Sequence, residues 1–294
     1  MGPWGVRWDR GQTWWPMVVG FHQYLARCSH LLQQGTTVSD VLYLTPEGAP
    51  HVFSPPPSAL AGEAPLPHKK GHAFDGCAPS VLATMEVRNG MVGIKGATQY
   101  RLLVLPRFET MTPEMLRTVI RLVEDGATII GSPPRASPSL TDFPACDVEV
   151  RRLAGILWGK PPCKAERKHG KGRIILDAAG ADYHARQPKP PTKLGGESIY
   201  PDYEITAKVL RAMGVPEDFS AEIPLRFTHR STEDNEIYFV SNPANIRVET
   251  KATFRTTTGQ PQLWNPVTGE IRELPQFDRS EQTTNVPLAF APHE

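Results

Sequence analysis

The sequence predicts an α/β protein in which a parallel-sheet domain is followed by antiparallel β structure. Three observations lead to this class. Short apolar segments alternate with helical segments over residues 36–182, and a well-capped amphipathic helix separates two of them. Residues 225–294 contain only short β-type segments between turn signals. Alternating strands and helices are typical of a helix-covered parallel sheet, whereas short strands joined by turns are typical of antiparallel sheets.

The first predicted helix covers residues 13–34, with Thr13 at the N-cap position and Gly35 as the C-terminal stop. Its apolar side chains recur at helical spacing, and they form one stripe that consists of Met17, Phe21, Tyr24, Leu25, Cys28, Leu31 and Leu32. We expect this stripe to be buried against a neighbouring element.

Residues 36–182 predict a doubly wound α/β layer. Its buried strands are predicted at residues 38–45, 100–105, 127–131 and 173–176, and its helices at 79–87, 112–125 and 146–157. The helix at 112–125 has Thr112 as its N-cap and Pro113 at its first position, and it predicts a right-handed parallel crossover. Pro- and Gly-rich segments at 46–71 and 132–145 leave the carboxyl ends of strands, where such folds bind ligands.

The C-terminal part begins with a connector. Residues 183–224 combine a Pro-rich linker with a predicted helix at 201–213 that ends at Gly214. The short β segments that follow lie at residues 225–230, 236–241, 247–256, 262–264 and 270–274. We interpret them as a portion of an antiparallel β-sandwich with too few strands to close two full sheets.

The charge balance excludes several classes of partner. Lys and Arg number 32 against 31 Asp and Glu, so no net field draws nucleic acid or an anionic membrane to the surface. The longest apolar runs are far shorter than the roughly 20 residues that a membrane helix needs. We expect neither nucleic acid nor a membrane as a partner, and a neutral glycan fits the balance. The first residues lack the pattern of a secretory signal, but this leaves the compartment open if the start is truncated.

Passages along nearly the whole chain resemble one family of enzymes. They include Arg10-Gly-Gln-Thr-Trp-Trp15, Phe21-x-x-Tyr24-x-x-Arg27, Asp40-Val-Leu-Tyr43, Tyr100-Arg-Leu-Leu-Val-Leu-Pro106, Met111-Thr-Pro-Glu114, Ile237-Tyr-Phe-Val-Ser-Asn242 and Trp264-x-Pro-x-Thr-Gly-Glu270. These passages are similar to glycoside hydrolase family 106, the α-L-rhamnosidases. Their order and spacing carry more weight than any single passage.

The resemblance implies a division of the chain. Residues 1–35 would be the end of a (β/α)8 barrel, residues 36–182 a flavodoxin-like or glutamine-amidotransferase-like domain, and residues 225–294 part of a β-sandwich. The partners implied are a rhamnose-containing glycan and the missing barrel portion of the same protein. Rhamnosidases of this family invert, and inversion needs two carboxyl groups about 6.5–9.5 Å apart. Those two groups would lie on barrel strands outside this sequence, so we expect no catalytic residue within it.

Seven residues are candidates for substrate binding. Arg10, Trp14 and Trp15 would lie in the loop that leads into the last barrel helix, where an indole could stack on a sugar and a guanidinium could bind hydroxyls. The alternative is that both tryptophans pack the barrel against the next domain.

The other four candidates form two pairs. His72 and Asp75 are predicted on a loop near the barrel mouth, although Asp75 could equally cap the following helix. His229 and Arg230 follow the start of an apolar strand. They would either fix a domain interface, which we favour, or reach the sugar.

The four cysteines are widely spaced and form no C-x-x-C pair, so the sequence predicts no metal site and no cofactor. Cys77 could be an amidotransferase-type nucleophile, but residues 68–74 do not read as the strand that a nucleophile elbow requires, and Pro79 occupies a position that needs a small residue. We therefore interpret it as a buried structural thiol. A non-catalytic carbohydrate-binding or interaction module is the main alternative to a glycosidase fragment.

Overall fold

The computed structural model describes residues 8–48, 52–62, 67–177 and 198–294. In the first of these ranges a 3-10 turn at Trp15–Met17 leads into helix α1 (Val18–Leu32). The prediction that Thr13 caps this helix is wrong, because the N-cap is Met17 and no side chain caps the helix. Gly35 does follow the helix, with φ of +54°. A Cβ at this position would lie 2.0 Å from the Ser231 carbonyl oxygen, so only glycine fits there.

The next part of the chain alternates strands and helices. Its elements are β1 (Thr36–Thr37), β2 (Val41–Leu44), β3 (Leu60–Ala61), β4 (His68–Lys69), β5 (Phe74–Cys77), α2 (Pro79–Leu82), β6 (Glu86–Arg88), β7 (Met91–Gly93), β8 (Gln99–Tyr100), β9 (Leu102–Val104), α3 (Pro113–Asp125), β10 (Thr128–Gly131), α4 (Ala145–Trp158), β11 (Glu166–His169) and β12 (Gly172–Leu176). The four predicted strands are present as β2, β9, β10 and β12.

The central sheet has six strands in the order β11–β12–β10–β9–β2–β5. All neighbouring pairs are parallel except β11 with β12. Helix α3 therefore connects two adjacent parallel strands, β9 and β10, and the predicted parallel crossover is confirmed. Strand β5 is a correction, because Phe74–Cys77 had been interpreted as a loop. Its central Asp75-Gly76 pair interrupts the apolar pattern that marks a buried strand.

Both faces of the central sheet are buried. On one face, Leu103 and Ile129 pack with residues of α3 and α4 such as Leu116 and Val150. The opposite face is covered by the segment that begins near Tyr200 and continues into helix α5 (Tyr203–Ala212). Burial on both faces explains why these strands read as continuous apolar runs.

One predicted helix boundary is confirmed and another is wrong. The Thr112 side chain accepts a hydrogen bond from the Met115 N–H at 3.2 Å, and this confirms the N-cap of α3. Helix α2, in contrast, ends at Leu82 and does not extend to Val87. The chain instead turns into β6 at Glu86, which pairs with β7.

The C-terminal part contains β13 (Phe219–Ala221), β14 (Arg226–Ser231), β15 (Glu236–Ser241), β16 (Val248–Phe254), β17 (Gln262–Trp264), β18 (Ile271–Glu273), β19 (Asp278–Arg279) and β20 (Thr284–Phe290). These strands form the sheets β1–β14–β15 and β13–β16–β20–β19 and the hairpin β17–β18, and all of their pairings are antiparallel. One core joins the two larger sheets, with Phe219, Ala252 and Phe290 packed against Phe227 and Tyr238. The sequence patterns do not predict β13, β19 and β20.

Across the described ranges, none of the helices has the length and apolarity needed to cross a membrane.

Candidate functional site

The N-terminal segment carries an open aromatic cavity of about 240 Å³. Its walls are formed by Trp8, Trp14, Met17, Val18 and Phe21. Of these five residues only Val18 is buried, whereas Met17 and Phe21 are 77% and 47% exposed. The described part of the chain thus leaves this apolar surface uncovered.

Two of the predicted substrate-binding residues, Trp14 and Trp15, have ring centroids 6.5 Å apart. Trp14 lines the cavity, and Trp15 lies next to Trp14. Both are partly exposed, and Arg10 is exposed beside them. Trp8 Nε1 donates a hydrogen bond to His22 Nε2 at 3.1 Å, which fixes one wall of the cavity. The structure therefore brings Arg10, Trp14 and Trp15 into one partly exposed segment of the chain.

Asp75 lies elsewhere, on the edge strand β5. Its carboxylate accepts hydrogen bonds from Lys69 Nζ and the Tyr100 hydroxyl, both at 3.2 Å. The interpretation of Asp75 as a helix cap is wrong, because the N-cap of α2 is Ala78 and no side chain caps it.

His72 belongs to a largely buried charge cluster, which we call the buried charge cluster and define as Asp40, His72, Asp218, His229, Glu236 and Arg255. Glu236 lies at its solvent-exposed edge, with a side chain that is 35% exposed. His72 Nδ1 lies 3.1 Å from Asp40 Oδ2, and both residues are almost fully buried. Arg255 donates to the same Asp40 oxygen at 2.9 Å and lies 3.3 Å from Asp218 Oδ1. Arg255 therefore bridges a carboxylate that precedes β2 and one that precedes β13.

The hydrogen bonds of the cluster set the charge of Asp40. Burial alone would raise the pKa of this carboxyl group. Hydrogen bonds from His72 and Arg255 outweigh burial and hold the pKa below its usual value, so Asp40 is ionised at neutral pH.

His229 lies at the other end of the cluster. Its Nδ1 is 2.8 Å from Asp218 Oδ1, its Nε2 is 2.7 Å from Glu236 Oε2, and its ring stacks on Tyr238 at 3.8 Å. Burial lowers the pKa of His229, but the hydrogen bonds to Asp218 and Glu236 outweigh it, and the net shift is upward.

Arg230, the neighbour of His229 on β14, binds the turn after α1. Its guanidinium donates to the Gly35 carbonyl oxygen at 2.7 Å and to Thr37 Oγ1 at 2.9 Å. The structure thus brings His72 and His229 into one buried cluster and places Arg230 at its border with α1. It does not bring Asp75 or the N-terminal aromatic residues into this cluster.

Comparison with known proteins identifies the family. The sequence model of glycoside hydrolase family 106, described as alpha-L-rhamnosidase, matches residues 1–279. The chain belongs to glycoside hydrolase family 106.

Two relatives place this family 106 chain in a larger context. The rhamnosidase from Novosphingobium sp. PP1Y is similar in structure, with a TM-score of 0.76 and 27% identity, over 99% of this chain and 25% of that one. A Formosa agariphila protein named "Putative beta-glucuronidase" is 30% identical over 291 residues, which are 99% of this chain and 21% of that protein. The family 106 chain thus spans about a quarter or less of the length of either relative.

Four residues of the buried charge cluster are not among the predicted site residues: Asp40, Asp218, Glu236 and Arg255. Asp40 stands directly before an apolar strand, and such a charge needs a buried partner. Its partner Arg255 is 215 residues away in the sequence. No local spacing could have paired them.

Cys77 ends strand β5 directly before α2, so the strand that a nucleophile elbow requires is present after all. The thiol is nevertheless unsuited to nucleophilic attack, because burial raises the pKa of Cys77 to about 12. The interpretation as a buried structural thiol agrees with its 7% exposure.

Within the part of the chain that the structure describes, no group of three or more His, Cys, Asp or Glu side chains is arranged to hold a metal ion.

Proposed function

We propose that this family 106 chain is the scaffold and rim portion of an α-L-rhamnosidase whose two catalytic carboxyl groups lie outside the sequence. The observation that carries the proposal is the match of the whole chain to about a quarter of the Novosphingobium rhamnosidase. The intact enzyme would hydrolyse terminal rhamnosyl bonds with inversion, by means of one general acid and one general base.

The uncovered face of α1 supports a neighbouring barrel. Met17, Phe21 and Leu25 lie one turn apart on the predicted apolar stripe, and all three are more than 40% exposed. An apolar stripe of this kind is usually covered by protein. We propose that residues 8–35 complete a barrel formed by the missing portion of the protein, which would bury this stripe.

Two loop carboxylates of this chain, Glu47 and Glu109, contact other protein groups. Glu47 accepts hydrogen bonds from the Thr112 N–H and hydroxyl, both at 2.6 Å, and thereby binds the N-terminus of α3. Glu109 pairs with Arg135 at 3.5 Å. These contacts favour structural roles and support the placement of the catalytic pair outside this chain.

We propose that Arg10, Trp14 and Trp15 contact the sugar. Partly exposed indoles beside a cavity of about 240 Å³ can stack on the C–H face of a pyranose. For His72, His229 and Arg230 we propose a structural role, since Nδ1 of His72, both ring nitrogens of His229 and the guanidinium of Arg230 contact protein groups. We propose the same for Asp75, which Lys69 and Tyr100 already bind.

The division into domains is part of the proposal. Numbered along the chain, the parallel strands β2, β5, β9, β10 and β12 lie in the order 2-1-3-4-5, which is the order of flavodoxin-like folds. This supports a flavodoxin-like domain over residues 36–182. The shared core of the two C-terminal sheets supports a β-sandwich portion over residues 225–294.

The test separates this chain from the complete enzyme. Residues 1–294 alone should not hydrolyse an aryl α-L-rhamnoside. A chimera in which this chain replaces the matching quarter of the Novosphingobium rhamnosidase should hydrolyse it. Trp14→Ala or Trp15→Ala in that chimera should lower kcat/KM about tenfold, because a stacked aromatic contact contributes about 0.5–1.5 kcal/mol beyond its buried area.

Trp264→Ala is the matched control, since Trp264 is 48% exposed on the hairpin β17–β18 and does not line the aromatic cavity. An unchanged rate in both N-terminal variants would contradict the proposed sugar contact. Turnover by residues 1–294 alone would contradict the placement of the catalytic carboxyl groups. An aryl β-glucuronide should be tested in parallel, because the curated relative is named for that activity.

A non-catalytic carbohydrate-binding module is the second candidate, and the exposed aromatic cavity favours it. Calorimetric titration of residues 1–294 with rhamnose discriminates the two functions. Binding that Trp14→Ala abolishes would support a module that acts by itself.

A further inference from the structure

The buried charge cluster has a geometry that requires one particular protonation state. A neutral imidazole has one N–H donor and one acceptor nitrogen, whereas an imidazolium has two donors. Both ring nitrogens of His229 face carboxylate oxygens, at 2.8 Å for Asp218 and 2.7 Å for Glu236. An imidazolium supplies one donor for each of these contacts, so the geometry favours the imidazolium form of His229.

The charges of the cluster lead to the same state. Asp40, Asp218 and Glu236 are the three carboxylates, and Arg255 is a buried cation between the first two. Arg101 approaches Asp40 Oδ1 at 3.5 Å from a more exposed position. With His229 protonated, three anionic groups face three cationic groups.

Two further ionisable groups belong to the cluster or contact it, His72 and Tyr238. His72 donates from Nδ1 to Asp40, and its buried Nε2 has no partner among the described residues, so a second proton there would be an unpaired buried charge. Burial raises the pKa of Tyr238, so the phenol that stacks on His229 also carries no charge. His229 is therefore the group whose titration unbalances the cluster.

This cluster joins parts of the chain that are distant in sequence. Asp40 and His72 precede the central strands β2 and β5, whereas His229, Glu236 and Arg255 belong to the C-terminal sheets. Strand β14 also pairs with β1 directly after α1. Arg230, next to His229, binds the Gly35 carbonyl oxygen at the end of that helix. Strand β14 thus holds the turn that ends α1, while Arg27 within α1 donates to the carbonyl oxygens of Pro266 and Val267.

We propose that His229 is a proton-operated latch, which holds β14, and through it helix α1, against the central α/β layer while its ring is protonated. Without this proton, the lone pair of one ring nitrogen would face a carboxylate. The cluster would also carry one uncompensated negative charge. Strand β14 would then separate from Glu236 or Asp218 and release the turn after α1. If the proposed function holds, this release would also displace the tryptophans that contact the sugar. The latch itself does not rest on the proposed function.

The direction of the pH dependence follows from the upward shift of the His229 pKa. The stabilisation of α1 by the latch should be complete below the ordinary histidine pKa of about 6.5. This stabilisation should be lost as the pH rises through the higher pKa that His229 has in the folded protein. Alkaline conditions should therefore loosen α1 before they unfold the protein.

Hydrogen–deuterium exchange of residues 1–294 tests the latch, after correction for the intrinsic pH dependence of exchange. Amides of α1 should lose protection about tenfold or more through the titration of His229, which is the factor that one hydrogen bond to a charged group contributes. Amides of α3, whose hydrogen bonds and ion pairs with described residues involve no member of the cluster, should keep their protection.

Two variants make the test decisive. Glu236→Gln removes one of the two anions that hold the proton, so the midpoint of α1 release should fall by about 1 to 3 pH units. His229→Gln has no titrating group, so α1 should exchange rapidly at every pH. His169→Gln is the matched control, because His169 pairs with Glu124 at 3.1 Å on the surface of the α/β layer.

Three results would overturn the proposal. The first is that Glu236→Gln leaves the pH midpoint of α1 release unchanged. The second is a pH-dependent release of α1 that persists in His229→Gln. The third is an NMR titration in which His229 shows an unshifted pKa. None of these measurements depends on glycosidase activity, so failure of the latch is distinguishable from failure of the proposed function.

Discussion

At the scale of single residues, the same type of ion pair has different consequences in different surroundings. Arg255 is mostly buried and contacts two carboxylates, Asp40 and Asp218, at 2.9 and 3.3 Å. Arg247 contacts Glu249 at 3.0 Å, but both side chains are more than 70% exposed. Water screens the exposed pair, whereas removal of one partner from the buried cluster leaves uncompensated charge in the interior.

This difference predicts the stability of two variants. Arg255→Met should lower the free energy of unfolding by about 3–5 kcal/mol, because it leaves Asp40 and Asp218 without their shared cation. Arg247→Met should change it by about 0–1 kcal/mol. Urea denaturation followed by circular dichroism measures both. Equal losses in the two variants would contradict the role assigned to Arg255.

At the scale of elements, helix α3 has the most complete set of local signals. Pro113 follows the Thr112 N-cap, six apolar residues face the core, and Gly126 ends the helix with φ of +126°. The Glu47 carboxylate binds the N-cap from outside the helix, which sequence patterns do not predict. Helix α1 has an equally clear apolar stripe, but only Val18 of this helix is buried.

The cap of α3 can be tested by substitution. Thr112→Ala removes the hydroxyl that accepts from the Met115 N–H and donates to Glu47. The free energy of unfolding should fall by about 0.5–2 kcal/mol. Thr112→Ser keeps the hydroxyl and should retain most of this stability. A serine variant as unstable as the alanine variant would indicate that the threonine methyl group, and not the cap, stabilises the helix.

At the scale of the whole molecule, the buried charge cluster connects the central layer to the C-terminal sheets. Asp40 is the carboxylate of the central layer that Arg255 contacts. Since its pKa is lowered in the folded protein, its contribution to stability is present above the unfolded Asp pKa of about 3.9. That contribution should be lost as the pH falls through the lower folded pKa.

Acid denaturation tests this connection. The urea midpoint of the wild type should fall as the pH drops below about 4. Asp40→Asn should be less stable than the wild type at neutral pH, but its urea midpoint should fall less on acidification. Asp278→Asn is the control, because Asp278 forms an exposed pair with Lys251 at 3.2 Å. An acid response in Asp40→Asn as steep as in the wild type would assign the pH dependence to other carboxyl groups.

The sequence by itself determined the elements whose signals are local. Apolar runs predicted β2, β9, β10 and β12, because strands that are buried on both faces admit few polar residues. Thr112 and Pro113 predicted where α3 begins, since the unpaired backbone groups of a helix terminus are satisfied by nearby side chains. Ordered passages along the chain were enough to identify the family.

Only the tertiary structure decided the features that depend on distant partners. Strand β5 contains Asp75 and Gly76, and its pairing with β2 overrides their low strand propensity. His72 and His229 were predicted as candidate site residues, but folding places them in one buried cluster around Arg255. The physical reason is that electrostatic and hydrogen-bond partners need only be close in space. A sequence pattern reports the neighbours of a residue along the chain and not those that folding brings to it.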